Sequence, residues 1–195
     1  MNAIYGRRSI RKYKDMQVDK QLITDMIDAG RVAPSAKNRQ PWKYIVFFGQ
    51  SKEEMLDKME AGINREENVS PSLPESSAGI PDARNTLKIM REAPVIILVL
   101  NTNGKSPFDP VNADDRITEI CDTLSIGASI QNILLKATEL GLGTLWIANT
   151  CFAYRELTEY LDTKNQLVGA ITVGYPDESP NPRPRKSLDE IIEFR

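Results

Sequence analysis

Residues 116–149 read RITEICDTLSIGASIQNILLKATELGLGTLWIAN, a long helix feeding a tight glycine turn and a strand. Apolar or small residues at Ile117, Ile120, Cys121, Leu124, Ala128, Leu134, Leu135 and Thr138 keep the spacing of one helical face. A second set, Ile126, Ile130, Ile133, Ala137 and Leu140, is offset around the cylinder, so the C-terminal half is apolar on nearly all sides. Such a helix needs cover on two faces, and a chain of 195 residues has few other elements large enough to supply it. The pattern suits a core helix of a monomeric α/β domain, and it equally suits a helix at the heart of a dimer. The dimer is the expected arrangement, because the small run Ser125, Gly127, Ala128 and Ser129 would let a partner backbone approach closely. Gly141-Leu142-Gly143 ends the helix with a residue that tolerates positive φ. Residues 144–147 then read as a central strand.

The composition bounds what this helix can belong to. With 41% hydrophobic and 27% charged residues, the chain is an ordinary globular one of single-domain length. Its longest apolar run, PVIILVL at 94–100, is far shorter than the roughly 20 residues a membrane-spanning helix needs. No leader pattern precedes it, so the expected compartment is the cytoplasm. Two cysteines make neither a disulfide framework nor a metal site. The absence of histidine removes His-based triads, His-ligated metals and the usual general base. Whatever chemistry occurs must come from elsewhere, and a bound cofactor is the obvious candidate.

The formal charge is only −2, yet basic residues crowd both ends: Arg7, Arg8, Arg11, Lys12 and Lys14 at one, Arg183, Arg185 and Lys186 at the other. If the fold joins the termini, the two clusters make a local anion site; otherwise they are solvated tails. In an extended segment Arg7, Ser9 and Arg11 point the same way, as an oxyanion would require. No nucleic-acid motif accompanies them, and neither a nucleic-acid nor a membrane partner is expected.

Along the chain, Asp19 caps a helix with apolar positions Leu22, Ile23, Met26, Ile27 and Val32. The loop APSAKNRQPW at 33–42 lies between that helix and a strand at 42–49, a common setting for functional loops. Ser51 and Glu54 read as a capping box for a helix through about Ala61. Residues 62–82 are polar with little to bury, either a lid over a site or a disordered insertion. A helix at 83–92, a strand at 94–100 covered on both faces, a short helix at 154–161 and a strand at 167–175 follow. The remainder is proline-rich and extended, with a weak helical turn at 188–192.

Four segments, RRSIRKY at 7–13, APSAKNRQPW at 33–42, GLGTLWIAN at 141–149 and PRPRKSL at 182–188, occur in this order at compatible spacing. Together they resemble the nitroreductase family of flavoproteins, over almost the whole chain and most weakly between about 62 and 92. The resemblance implies one α+β domain over residues 1–195, with a variable lid-like insertion at about 62–92. Its central, mostly antiparallel sheet would be flanked by helices, in an intertwined homodimer with FMN at two sites between subunits. Arg7, Arg8, Ser9 and Arg11 match the N-terminal flavin motif, in which Arg and Ser bind the phosphate and ribityl chain. Arg11 matches the cation near the N1/O2 edge of the ring. Pro34, Ser35, Ala36 and Asn38 match the loop that reaches the flavin from the other subunit. Ile147, Ala148 and Asn149 match the strand end beneath the ring, where a backbone N–H points at N5. Many members carry an acidic residue or glycine there, so Ala148 and Asn149 depart from the pattern. Arg183 and Arg185 match a C-terminal basic pair that closes on the phosphate.

The implied reaction needs no protein nucleophile, since the chemistry takes place at flavin N5. NADH or NADPH would reduce the flavin and leave before a small acceptor such as a nitroaromatic, quinone or flavin took its place, a ping-pong sequence. No GxGxxG fingerprint is present, so the nicotinamide nucleotide would visit without its own Rossmann domain. A non-catalytic FMN-binding store or redox sensor would share every one of these contacts and stands as the alternative.

Overall fold

The computed structural model describes residues 2–68, 70–148 and 150–195. In chain order come α1 (Ala3–Gly6), α2 (Lys20–Arg31), β1 (Trp42–Phe48), α3 (Gly49–Asn68), α4 (Ile80–Glu92) and β2 (Val95–Asn101). Then follow α5 (Ala113–Glu139), β3 (Gly143–Ile147), α6 (Tyr154–Tyr160) and β4 (Gln166–Gly174), with short 3-10 turns at Ala36–Asn38, Pro74–Gly79, Cys151–Ala153 and Leu188–Glu190.

The strands form one antiparallel sheet in the order β1-β2-β4-β3. Strand β2 is buried along its whole length, as its unbroken apolar run requires. Alternation on the pleat sends Ile96, Leu98 and Leu100 into a core with α3, α4 and α6, and sends Val95, Ile97 and Val99 into a second core with α2 and α5. The architecture is therefore α+β, a central antiparallel sheet flanked by helices on both faces.

Strand β3 is an edge strand, a correction to its expected central place. Its free edge receives the N-terminal segment instead: Ser9 bridges Thr144 in parallel, and the Ile10 N–H donates to the Thr144 carbonyl at 2.9 Å. Gly143 permits this crossing, because a Cβ there would lie 2.8 Å from the Ile10 side chain. Gly141, with φ +76°, stops α5 as expected. The Leu142 N–H closes back on the Ala137 carbonyl at 2.8 Å, a Schellman-type end.

Helix α5 divides its two apolar sets. Ile126, Ile130, Ile133 and Ala137 are buried against the chain's own sheet and α2, whereas Ile117, Ile120 and Leu124 are 61%, 52% and 70% exposed. Ser129 of the small run packs within the chain, donating to the Gly30 carbonyl of α2 at 2.6 Å.

The capping box expected at Ser51 and Glu54 does not form. Helix α3 starts two residues earlier at Gly49, and the Ser51 hydroxyl donates to the Phe48 carbonyl at 3.0 Å. The same helix runs seven residues beyond Ala61, burying Gly62, Ile63 and Glu66, so residues 62–68 belong to the core. No helix among the described residues is long and apolar enough to cross a membrane.

Candidate active site

The segment Arg7–Tyr13 is held in place by its apolar and aromatic members, which leaves its cations free to face outward. Ile10 is buried, and the Tyr13 hydroxyl donates to the Ile10 carbonyl at 2.7 Å while sharing a hydrogen bond with the Thr172 hydroxyl of β4. Burial pushes the Tyr13 phenol above its usual range, so it stays protonated and serves as an anchor. Beyond it the chain's two ends pair: Lys14 N–H to the Tyr175 carbonyl at 2.9 Å and Asp177 N–H to the Lys12 carbonyl at 3.0 Å. The fold thus joins the termini, the condition on which the anion-site reading depended.

The result is a cleft of about 320 Å³ whose lining includes Arg7, Arg8, Ser9, Arg11, Arg183 and Arg185. Burial, and then the charges of Arg185 and Arg8, push the Arg7 guanidinium below its usual value. Like charges so close disfavour one another unless an anion joins them. Among the described residues, no ion pair links Arg7, Arg8, Arg183 or Arg185 to a carboxylate. Arg8 is partly committed elsewhere, donating to the Tyr5 and Arg7 carbonyls at 2.8 Å each. The donor set of guanidinium groups and a hydroxyl has the chemistry of a site for a phosphate monoester, which carries close to two negative charges.

Arg11 also lines a second cleft of about 400 Å³, so it sits where the two meet. One wall of the second cleft is the end of β3 with Trp146, Ile147 and Ala148. The facing wall is α4 with Asp82, Asn85 and Thr86, and Phe152 also contributes. A cationic cleft that shares Arg11 with a larger one having apolar and polar walls can take a ligand with an anionic tail and a flat body. Of the strand-end residues expected here, Ile147 and Ala148 are in place, and Asn149 lies outside the described residues.

The loop carrying Pro34, Ser35, Ala36 and Asn38 lines neither cleft of its own chain. It is tied to α5 instead: the Ala36 N–H donates to the Ser125 hydroxyl at 3.1 Å, and Arg39 pairs with the buried Asp122 at 2.7 Å. Asn103 donates to the other Asp122 oxygen at 3.2 Å. These ties hold three non-glycine residues, Lys37, Asn38 and Gln40, at φ of 53°, 54° and 47°.

Sequence reasoning missed the α4 wall. Asp82, Asn85, Thr86 and Ile89 recur at helical spacing, but a mostly polar stripe on a helix reads the same as a solvated face. It also missed the ties that hold the segment leading into this wall. Arg65 of α3 bonds Glu156 of α6 at 2.6 Å, the Ser70 carbonyl at 3.0 Å and the Phe152 carbonyl at 3.3 Å. Its neighbour Glu66 accepts from the Ser72 and Leu73 N–H groups at 2.9 and 3.1 Å.

Comparison with known proteins fits this architecture. The chain matches the Nitroreductase family profile over residues 4–175. It is 30% identical over 182 residues to a protein of Archaeoglobus fulgidus provisionally named NADH dehydrogenase/NAD(P)H nitroreductase, covering 91% of this chain and 86% of that one. A protein of Methanothermobacter thermautotrophicus with the same provisional name is 29% identical, covering 98% and 84%. Among solved structures, a provisionally named nitroreductase from Desulfovibrio desulfuricans, in complex with FMN, superposes with a TM-score of 0.73. It is 26% identical and covers 99% of this chain and 94% of that one. A nitroreductase-like protein of Bacillus cereus, 24% identical, shares the fold at a TM-score of 0.76 with 100% and 94% covered. With the sheet order, the flanking helices and a match spanning most of its length, the chain belongs to the nitroreductase family.

Proposed function

We propose that this chain is an FMN-dependent oxidoreductase. In this reading it uses NADH or NADPH in a ping-pong reaction to reduce a small acceptor such as a nitroaromatic, quinone or flavin, acting in the cytoplasm as a homodimer. The observation that carries the reading is the meeting of Arg7, Ser9, Arg183 and Arg185 from opposite chain ends in one cleft, with Arg11 shared between that cleft and the one beside Ile147 and Ala148. The names of the relatives and the FMN in the Desulfovibrio desulfuricans structure support it.

FMN, when bound, would supply the two-electron redox chemistry between the nicotinamide nucleotide and the acceptor. Arg7, Ser9, Arg183 and Arg185 would hold the phosphate by charge-assisted hydrogen bonds. Arg11, at the junction of the clefts, would place a fixed positive charge near the ring, where reduction develops negative charge. Ile147 and Phe152 give the second cleft apolar surface that excludes water, and Asp82, Asn85 and Thr86 of α4 offer polar contacts for an acceptor. In the homodimer the loop with Pro34, Ser35, Ala36 and Asn38 would complete the partner's site, and of the lid-like insertion at 62–92 the part beyond the core residues 62–68 would cover the site, with α4 as its inner face.

The test is the absorbance spectrum of freshly purified protein, with the released cofactor quantified, followed by steady-state oxidation of NADH and of NADPH with a nitroaromatic or quinone. Stoichiometric FMN with acceptor-dependent turnover is expected. Bound FMN without turnover would replace the enzyme by the storing or redox-sensing alternative. A colourless protein that FMN cannot reconstitute would sink both.

A further inference from the structure

The cations Arg183 and Arg185 sit on a tail that has little of its own to hold it. Residues 188–194 expose Leu188, Ile191 and Phe194. The Arg185 guanidinium bonds, among the described residues, only the nearby carbonyls of Arg183 and Pro184, at 3.2 and 3.0 Å. Among the described residues, no hydrogen bond or ion pair joins residues 179–195 to the rest of the chain. The last tie before that stretch is a side chain: the Glu178 carboxylate accepts from the backbone N–H of Arg11. It follows directly on the Asp177 N–H bond to Lys12 and stands two residues before Pro180, where the tail turns into the cationic cleft.

An acidic group at the edge of a phosphate site is unexpected if electrostatics alone are considered, because it weakens the attraction for an anion. Its contact explains its presence. We infer that Glu178 is a positioning residue, a latch that fastens the C-terminal tail to the Arg11 backbone and so sets Arg183 and Arg185 beside Arg7 for the ligand's phosphate. This rests on the FMN reading above for the identity of the phosphate ligand, though the latch itself does not. The latch also lowers the entropic cost of closing the clamp, since a loose tail would have to be ordered on each binding event. Because its anchor is the residue between the two clefts, the latch couples tail closure to the placement of Arg11.

Charge and hydrogen bonding make opposite predictions at this position, which is what makes the latch testable. Glu178→Gln keeps a carbonyl acceptor for the Arg11 N–H but removes the negative charge. Glu178→Ala removes both. If Glu178 acts as a latch, Glu178→Ala weakens FMN binding roughly tenfold or more, the scale of one hydrogen bond to a charged group. Glu178→Gln then binds FMN as tightly as wild type or more tightly, and riboflavin, lacking the phosphate, is little affected by either. Arg185→Ala added to Glu178→Ala costs little more, because the released tail no longer delivers that cation.

The measurements are FMN and riboflavin titrations of apo wild type, Glu178→Ala, Glu178→Gln and the double variant by flavin fluorescence, with thermal unfolding to confirm that each is folded. Alongside them, trypsin cleavage after Arg185 and Lys186 in the apo proteins reads tail release without any flavin. Faster cleavage in Glu178→Ala, with Glu178→Gln like wild type, supports the latch even if wild type were to bind no FMN, an outcome that would overturn the cofactor reading alone. Unchanged cleavage in Glu178→Ala, FMN binding by that variant as tight as wild type, or equal losses in Ala and Gln would each overturn the latch.

Discussion

Arg185 lines the cationic cleft alone and Arg11 lines both clefts, so the two should fail in different ways when replaced. In the FMN reading Arg185 would bear on the phosphate alone, so Arg185→Ala should weaken FMN by about 1.5 to 3 kcal/mol, the range for a hydrogen bond to a charged group. Riboflavin binding should hardly change, and equal losses for both ligands would make Arg185 structural. Arg11 lies two residues beyond Ser9 in an extended segment, about 6.6 Å further along. A cation there stabilises a reduced, negatively charged ring more than an oxidised one. Arg11→Gln keeps a donor but loses the charge, so the two-electron potential should fall by roughly 30 mV, or about 1.4 kcal/mol. Spectroelectrochemical titration of both proteins, fully loaded with FMN, reads this directly, and an unchanged potential would place Arg11 away from the ring. At this scale the cationic residues were legible because Arg7, Ser9 and Arg11 alternate and the tail repeats the charge. Glu178 and the α4 residues were not, because a single carboxylate or a polar stripe gains meaning only from what the fold sets opposite it.

Among the elements, α3 and the residues after it show why local pattern failed where α5 succeeded. Ser51 and Glu54 imitate a capping box, but the short connection from β1 starts the helix at Gly49, whose φ of 55° makes the turn. The polar stretch after Ala61 is ordered by Arg65, a charge that sequence alone cannot assign, since its partners lie on α6, on the Cys151–Ala153 turn and in the loop at 70–72. Burial alone would raise the Glu66 carboxyl, but the Ser72 and Leu73 N–H groups and Arg65 overcome it and hold the carboxyl below its usual value. Glu156, paired with the same Arg65, is also held low against burial. Each folded-state value then lies below the unfolded one. Their stabilisation is complete above the ordinary carboxylate range, near pH 4.3, and is lost as pH falls through the lowered values. Glu66→Gln should cost about 1.5 to 3 kcal/mol at pH 7, the scale for hydrogen bonds to a charged group, since Arg65 keeps its pair with Glu156. Its deficit relative to wild type should shrink in strong acid. Urea unfolding of both proteins across that pH window checks the sign, and a deficit that grew with acid would refute it.

For the whole molecule, the two-faced apolar helix was legible except at Leu134, which was read with Ile117, Ile120 and Leu124 but is buried with Ile130 and Ile133, and the structure says which face the chain covers itself. The Ile126, Ile130, Ile133 face is sealed by the sheet and α2, while Ile117, Ile120 and Leu124 are open to water. Three large apolar side chains in line on one exposed helix face form the kind of patch that marks an interface. The loop at 33–42 supports a second copy independently: it is held in a strained conformation at the edge of α5, yet it lines neither of the two clefts described above. A C2 pairing through α5 would cover the patch and present that loop to the partner's site in one step. The chain should therefore sediment as a dimer at low micromolar concentration. Leu124→Lys, which sets like charges face to face across such an axis, should shift it to monomer and lower flavin occupancy in parallel, because each site would lose the loop from the other copy. Coupled loss of dimer and flavin, followed by sedimentation and by absorbance of the same samples, is the expected outcome. A folded wild-type monomer that keeps stoichiometric flavin at that concentration would defeat the dimer and, with it, the reading of Pro34, Ser35, Ala36 and Asn38 as residues of the partner's site.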